Sequence, residues 1–149
     1  MLTTTECTLQ PAVPQSRAGI VSLLQAVHLP AADLPQTLDA FFVAEKAGSV
    51  VGSVGLELYG DYALLRSLAV HPQQQGTGLG GALCQAAVNL ALLKGIREMY
   101  LITATAAPFF EKRGFQPVDR LNVPIAIRRT TQFSRVCPSS ATVMRRSIP

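Results

Sequence analysis

Apolar positions along the chain follow two periods, and each change of period marks an element. Over residues 15–27, Ile20, Val21, Leu23, Leu24 and Val27 recur at helical spacing and predict a helix with one apolar side. Over residues 79–93, Leu79, Ala82, Leu83, Ala86, Leu90 and Leu93 repeat that spacing and predict a longer amphipathic helix. Short apolar or alternating runs at 7–13, 41–45, 50–58 and 63–70 predict strands. Ala47-Gly48 separates the second run from the third, and Tyr59-Gly-Asp-Tyr62 turns the third into the fourth as a hairpin. Pro30 and Pro35 bracket a short helical or irregular piece. Downstream, 98–102 predicts a strand and 106–112 a short helix stopped at Arg113-Gly114, after which Phe115 resumes extended chain. A Pro-interrupted connection precedes a last strand at 141–145. Strands alternating with helices, without an internal repeat or linker, predict a single α/β domain over residues 1–149.

The densest chemistry sits where one strand meets the longer helix, in Leu68-Ala-Val-His-Pro-Gln-Gln-Gln-Gly-Thr-Gly-Leu-Gly-Gly81. Gly76, Gly78, Gly80 and Gly81 remove side chains there, so successive backbone N–H groups can converge on an anion at the positive end of the helix dipole. A phosphate suits such a turn. A P-loop is excluded, because Ala82-Leu83 stand where that motif needs Lys and Ser/Thr. Gly76, Gly78 and Gly81 formally spell a dinucleotide fingerprint, but five residues (71–75) separate the strand from the first glycine. The acidic residue about 20 positions on is Glu98, before a strand instead of at its end.

Gln75-Gly76-Thr77-Gly78-Leu79-Gly80 fits a third pattern, Q/R-x-x-G-x-G/A directly after a strand, and resembles the acetyl-CoA motif of the GNAT superfamily of N-acetyltransferases. Thr103-Ala-Thr-Ala-Ala-Pro-Phe-Phe-Glu-Lys-Arg-Gly-Phe115 resembles the same family's later strand–helix–strand segment. Leu64-Leu-Arg-Ser-Leu-Ala-Val70, Val123-Pro-Ile-Ala-Ile-Arg and Phe133-Ser-Arg-Val-Cys-Pro-Ser-Ser-Ala141 are similar to N-acetyltransferases of arsenic-resistance operons and to short relatives of N-acetylglutamate synthase. The resemblance implies a mixed, mostly antiparallel sheet of six to seven strands, helices on both faces, and a splay at the acetyl-CoA site. It also implies main-chain contacts to the cofactor at Leu68 and Val70, with the Val70 amide a donor to the thioester oxygen. Gln75, Gly76, Thr77, Gly78, Leu79, Gly80 and Gly81 would wrap the pyrophosphate, and Phe109 and Phe110 would line the cofactor. Where the family carries a tyrosine as leaving-group acid this chain has Phe110, and Tyr100 belongs to the preceding strand.

Composition narrows the class. No apolar run approaches the ~20 residues of a membrane span, and the first residues lack the pattern of a signal peptide. Cys7, Cys84 and Cys137 are scattered, forming neither a disulfide set nor metal-binding pairs, so a cytoplasmic protein without a metal is expected. Residues 111–149 hold eight Lys/Arg against two Asp/Glu, a basic quarter suited to a polyanionic cofactor or an acidic acceptor as well as to a solvated face. The absence of Trp and of any nucleic-acid-binding signature argues against nucleic acid as partner.

Transfer of an acyl group from a thioester to an amine needs an unprotonated amine. Glu57 is the expected general base; across the Gly60-Asp61 turn it lies diagonally beside Arg66, so a cross-strand ion pair is its ordinary alternative. Arg66, two residues before Leu68, suits bidentate binding of an acceptor carboxylate, and Arg135, Ser139 and Ser140 are further acceptor candidates. His71, His28 and Cys137 are weaker choices for base or nucleophile. The reading is acetylation of the amine of a small acidic amino acid or glutamate analogue, in arsenic-linked detoxification or N-acetylglutamate synthesis. Its rivals are another amine (polyamine, antibiotic or protein N-terminus) and a non-catalytic acyl-CoA sensor; a homodimer is left open.

Overall fold

The computed structural model describes residues 7–136 and 140–149, with the side chains of 135 and 136 outside the description. Seven strands, β1 (Thr8–Pro11), β2 (Phe41–Lys46), β3 (Ser49–Tyr59), β4 (Tyr62–Val70), β5 (Glu98–Thr103), β6 (Gln116–Pro117) and β7 (Thr142–Ser147), form one sheet in the order β1-β2-β3-β4-β5-β7-β6. The helices are α1 (Arg17–Ala26), α2 (Leu79–Leu93), α3 (Ala107–Glu111) and α4 (Ile125–Arg128). The sheet is mixed and mostly antiparallel, as expected; β4 and β5 run parallel, with a ladder from Tyr62↔Glu98 to Leu64↔Tyr100. β4 continues past that ladder to Val70, where the glycine-rich turn begins.

The chain packs as two compact units, and β3 and β4 each contribute to both. One comprises the residues up to Leu56 together with Ser67–Leu90. Its core joins Ile20, Leu23 and Leu24 of α1 to Leu38, Phe41, Val43 and Ala69. A bulge in the β2–β3 ladder pairs Ala44 with Gly52 but Glu45 with Val50, so Val50 and Gly52 point to opposite faces. Gly19 of α1 backs onto Val50, and α2 packs on Gly52, where a Cβ would lie 2.8 Å from Leu83 Cδ1. Two helices thereby cover opposite faces of one sheet.

The apolar stripe of α2 differs from the one its spacing predicts. Leu83, Cys84, Ala87, Val88 and Ala91 are buried, while Leu93 is 84% exposed and Ala82 is exposed. The helix is apolar nearly all round, so its inward face is set by contact with Gly52 and not by its own pattern.

The other unit comprises Glu57–Arg66 and Ala91–Pro149. Its core gathers Leu64, Tyr100, Val123, Ile127 and Val143, with Tyr59, Tyr62, Ile102, Val118 and Phe133 packed against it. α3 ends as expected: Gly114, at φ +91°, lets the Phe115 amide return to the Phe110 carbonyl. The connection before the last strand holds structure the sequence reading left out, α4 and a π-helical turn at Gln132–Val136. Among the described residues no helix is long and apolar enough to cross a membrane, and no cluster of three or more His, Cys, Asp or Glu could hold a metal ion.

Candidate functional site

The predicted phosphate turn is built from the end of β4 onward. Ser67 sits inside that strand at φ +58°, a left-handed backbone that is uncommon for a residue with a side chain. Ser53, wholly buried on β3, donates its hydroxyl to the Ser67 carbonyl at 2.7 Å and pins the kink. Leu68 and Val70 follow it half-buried, and the Val70 carbonyl accepts from Gln75 Nε2 at 3.1 Å. The His71 amide returns to the Val51 carbonyl, and His71 Nδ1 accepts from the Gln73 amide at 3.1 Å. That acceptor role fits His71 as a fastener of the turn.

Beyond it the chain is open. Gly76 and Gly78 adopt φ +82° and +88°, and a Cβ at either would meet nothing within 4 Å. Thr77 donates its hydroxyl to the Gln74 carbonyl at 2.6 Å, which tightens the turn. Ala82 makes the first intrahelical bond, to the Gly78 carbonyl, so the amides of Leu79, Gly80 and Gly81 belong to the first turn, whose N–H groups have no helical acceptor. Backbone donors without bulk, at a helix N-terminus, can hold an anion. A separate cleft of about 570 Å³ in this unit, between α1 and the β2–β3 turn, is lined by Gln15, Ser22, Glu45 and Ser49 with His71 at its edge. Apart from His71 it contains none of the predicted residues.

In the other unit, Glu57 and Arg66 meet as their diagonal placement predicts: Arg66 Nη1 lies 2.5 Å from Glu57 Oε2. The Arg66 side chain is 1% exposed and that of Glu57 16%. The second carboxylate oxygen, Oε1, accepts from the Tyr59 hydroxyl. Tyr59 was not among the predicted residues, though the signal was present: positions 57 and 59 share a face of one strand. Its phenol is pushed above the ordinary tyrosine range by burial first, then by the hydrogen bond to Glu57 and that residue's charge. A related pair stands on β5, where Tyr100 donates to Glu98 at 2.8 Å and Arg145 lies 3.8 Å from the same carboxylate. Burial leads there too, raising Tyr100 to about 12.

Phe110 is buried, edge-on to Phe109 and Phe115 at centroid distances of 5.0 and 5.7 Å. The Arg113 guanidinium stacks 3.7 Å over Phe109. Arg135 lies within the π-helical turn, with its side chain outside the description; Ser140 is an exposed turn residue. Ser139 and Cys137 fall outside the described residues. His28 occupies a left-handed position just after α1.

Residues 37–117, more than half of the chain, match the family model described as an acetyltransferase (GNAT) domain. The amino-acid acetyltransferase of Aeromonas salmonicida is 25% identical over 104 residues, covering 68% of this chain and 24% of that protein. The chain therefore spans about a quarter of the length of the curated relatives it first matches. Among solved structures, N-acetylglutamate synthase from Neisseria gonorrhoeae, complexed with coenzyme A and L-arginine, superposes with a TM-score of 0.80 at 21% identity, over 95% of this chain and 33% of that one. Rv2747 from Mycobacterium tuberculosis, in complex with CoA, gives 0.76 at 20% identity, over 95% and 99% of the two chains. With the strand, the kinked turn and the glycine-led helix all inside the matched residues, the chain belongs to the GNAT acetyltransferase family.

Proposed function

We propose that the protein transfers the acetyl group of acetyl-CoA to the amine of a small acidic amino acid. The observation that carries this reading is the turn itself: Gly76 and Gly78 hold left-handed backbone with open space where side chains would stand, directly before the bare first turn of α2. Such a turn accommodates a pyrophosphate, and related structures were solved with coenzyme A bound. The relatives named amino-acid acetyltransferases support an amino acid as acceptor.

In this reading Gln75 through Gly81 hold the pyrophosphate, and the Val70 amide donates to the thioester oxygen as charge develops on it. Glu57 takes the proton released when the acceptor ammonium becomes the attacking amine. The amine nitrogen bonds to the carbonyl carbon, the nitrogen gives up its second proton to water, the carbon–sulfur bond breaks, and coenzyme A leaves as thiolate. Phe110 supplies no proton to that sulfur, so the thiolate leaves unassisted or takes a proton from water. The acceptor we favour is glutamate or an arsenic- or phosphorus-containing mimic of it, and a cytoplasmic setting belongs to the same proposal.

The test is release of free thiol from acetyl-CoA across a panel of amino acids and simple amines. Turnover with acidic amino acids, abolished by Glu57→Gln, is expected. Preference for an amine without a carboxylate would overturn the acceptor class. The bare ring of Phe110 favours one rival, a non-catalytic acyl-CoA sensor, which would bind acetyl-CoA and release no thiol with any amine.

A further inference from the structure

We infer that Tyr59 and Arg66 are positioning residues for Glu57, so that Arg66 serves the protein's own carboxylate and not the acceptor's. The inference rests on the reading of Glu57 as the base. Its basis is geometric. Tyr59 donates to Oε1 and Arg66 to Oε2, so both oxygens are fixed and the carboxylate cannot rotate. Each oxygen keeps a lone pair for an incoming proton.

Arg66 is also badly placed to clamp a diffusing acceptor. Its side chain is 1% exposed, and its charge is already matched by Glu57 at 2.5 Å. An acceptor carboxylate taking over that guanidinium would strand Glu57 without its cation, a poor exchange for a buried pair. Tyr59 is tied to the same carboxylate. Its phenol holds its proton more tightly than an ordinary tyrosine, and that proton points at Glu57. Tyr59 is thus a donor to the base, and it does not fill the place of the leaving-group acid that Phe110 leaves empty.

Glu98 and Tyr100 provide a control within the same unit. Tyr100 donates to Glu98 with the same two-residue spacing, but the cation beside them, Arg145, is 45% exposed and 3.8 Å away. Tyr100→Phe deletes a Tyr–Glu hydrogen bond without touching Glu57.

The experiment compares wild type with Tyr59→Phe, Tyr100→Phe, Arg66→Lys and Glu57→Gln in the full chain, using acetyl-CoA and L-glutamate and recording kcat, both KM values and the pH profile of kcat/KM. Loss of this donor frees one carboxylate oxygen to move, so Tyr59→Phe weakens the orientation of the base. It should lower kcat about tenfold and leave the acceptor KM within about twofold. Arg66→Lys, which keeps the charge but loses the fork, should show the same split, and Tyr100→Phe should match wild type. A wild-type kcat in Tyr59→Phe alongside an inactive Glu57→Gln would overturn the positioning role while leaving the base in place. A wild-type rate in Glu57→Gln would remove the base reading, and the inference with it. A tenfold rise in acceptor KM for Arg66→Lys, with kcat and profile unchanged, would return Arg66 to the acceptor. Should glutamate not turn over, proton NMR decides. A downfield, slowly exchanging tyrosine hydroxyl, present in wild type and Tyr100→Phe but lost in Tyr59→Phe, supports the clamp; its absence from wild type overturns it.

Discussion

The buried pair of Glu57 and Arg66 makes a stability prediction that needs no substrate. Glu57→Leu takes the carboxylate away from a guanidinium that is 1% exposed, and breaking a buried pair by removing one partner costs about 3–5 kcal/mol. Arg66→Met leaves a carboxylate that is 16% exposed and still bonded to Tyr59, so about 1–3 kcal/mol is expected. The double variant replaces a buried ion pair by apolar groups of similar size and should lie within about 2 kcal/mol of wild type. The cycle therefore predicts a coupling of at least about 2 kcal/mol between the two sites. The chain has no Trp, so urea unfolding is followed by far-UV circular dichroism. In thermal melts the Glu57→Leu loss corresponds to roughly 10–15 °C for a domain of this size. Because the pair is buried, 0.5 M salt should change these values little. Single effects that simply add, with coupling below about 0.5 kcal/mol, would refute the reasoning.

Three further outcomes follow from the geometry. Gly78→Val, at φ +88° with nothing within 4 Å, meets no clash but forces a β-branched residue into left-handed backbone; acetyl-CoA affinity by calorimetry should fall at least tenfold while the fold persists. Tyr100, raised to about 12 against an ordinary 10, holds its proton in the folded protein after the unfolded chain has lost it, so its contribution is complete below pH 10 and drains away between pH 10 and about 12. That loss is on the order of 2–3 kcal/mol, and urea midpoints measured from pH 9 to 12 should fall less steeply for Tyr100→Phe. Phe110→Tyr adds a hydroxyl to a buried ring packed between Phe109 and Phe115, so a stability loss of about 1–3 kcal/mol with no gain in kcat is expected, checked by melts and thiol release.

How far the chain could be read from its residues depended on whether a feature was local. The hairpin at Gly60-Asp61 and its diagonal Glu57–Arg66 contact follow from strand alternation and a two-residue turn, and both are present. The Gly76 and Gly78 conformations follow equally, because glycine is the residue that takes positive φ without strain. The buried face of α2 was not legible: its sequence is apolar on nearly every side, so Gly52 decides which residues turn inward. α4 was missed because four residues cannot hold a helix by themselves, and Ile127 is held by packing with Leu64 and Tyr100. Nothing in Leu-Arg-Ser-Leu marks Ser67 as left-handed; that kink depends on Ser53, fourteen residues away.

If Arg66 belongs to Glu57, an acidic acceptor needs another cation, and the basic quarter of the chain is where to seek it. Several of its arginines are already engaged. Arg113 stacks on Phe109 and bonds its carbonyl, Arg146 donates to the Arg113 carbonyl, Arg120 donates to the Ala141 carbonyl, and Arg145 faces Glu98. Arg128 differs from these. Its Nε is buried and has no hydrogen-bond partner among the described residues, at the end of the short helix whose Ile127 shares a core cluster with Leu64 and Tyr100. A buried donor without a partner is costly unless a ligand completes it, and a carboxylate is the natural complement of a guanidinium edge. Arg128→Met should therefore raise the KM for an acidic acceptor at least tenfold, leave the KM for acetyl-CoA unchanged, and alter stability by less than about 1 kcal/mol, because it removes an unsatisfied group along with the charge. An unchanged acceptor KM with a large loss of stability would make Arg128 a packing residue and send the search for the carboxylate site elsewhere in the basic quarter.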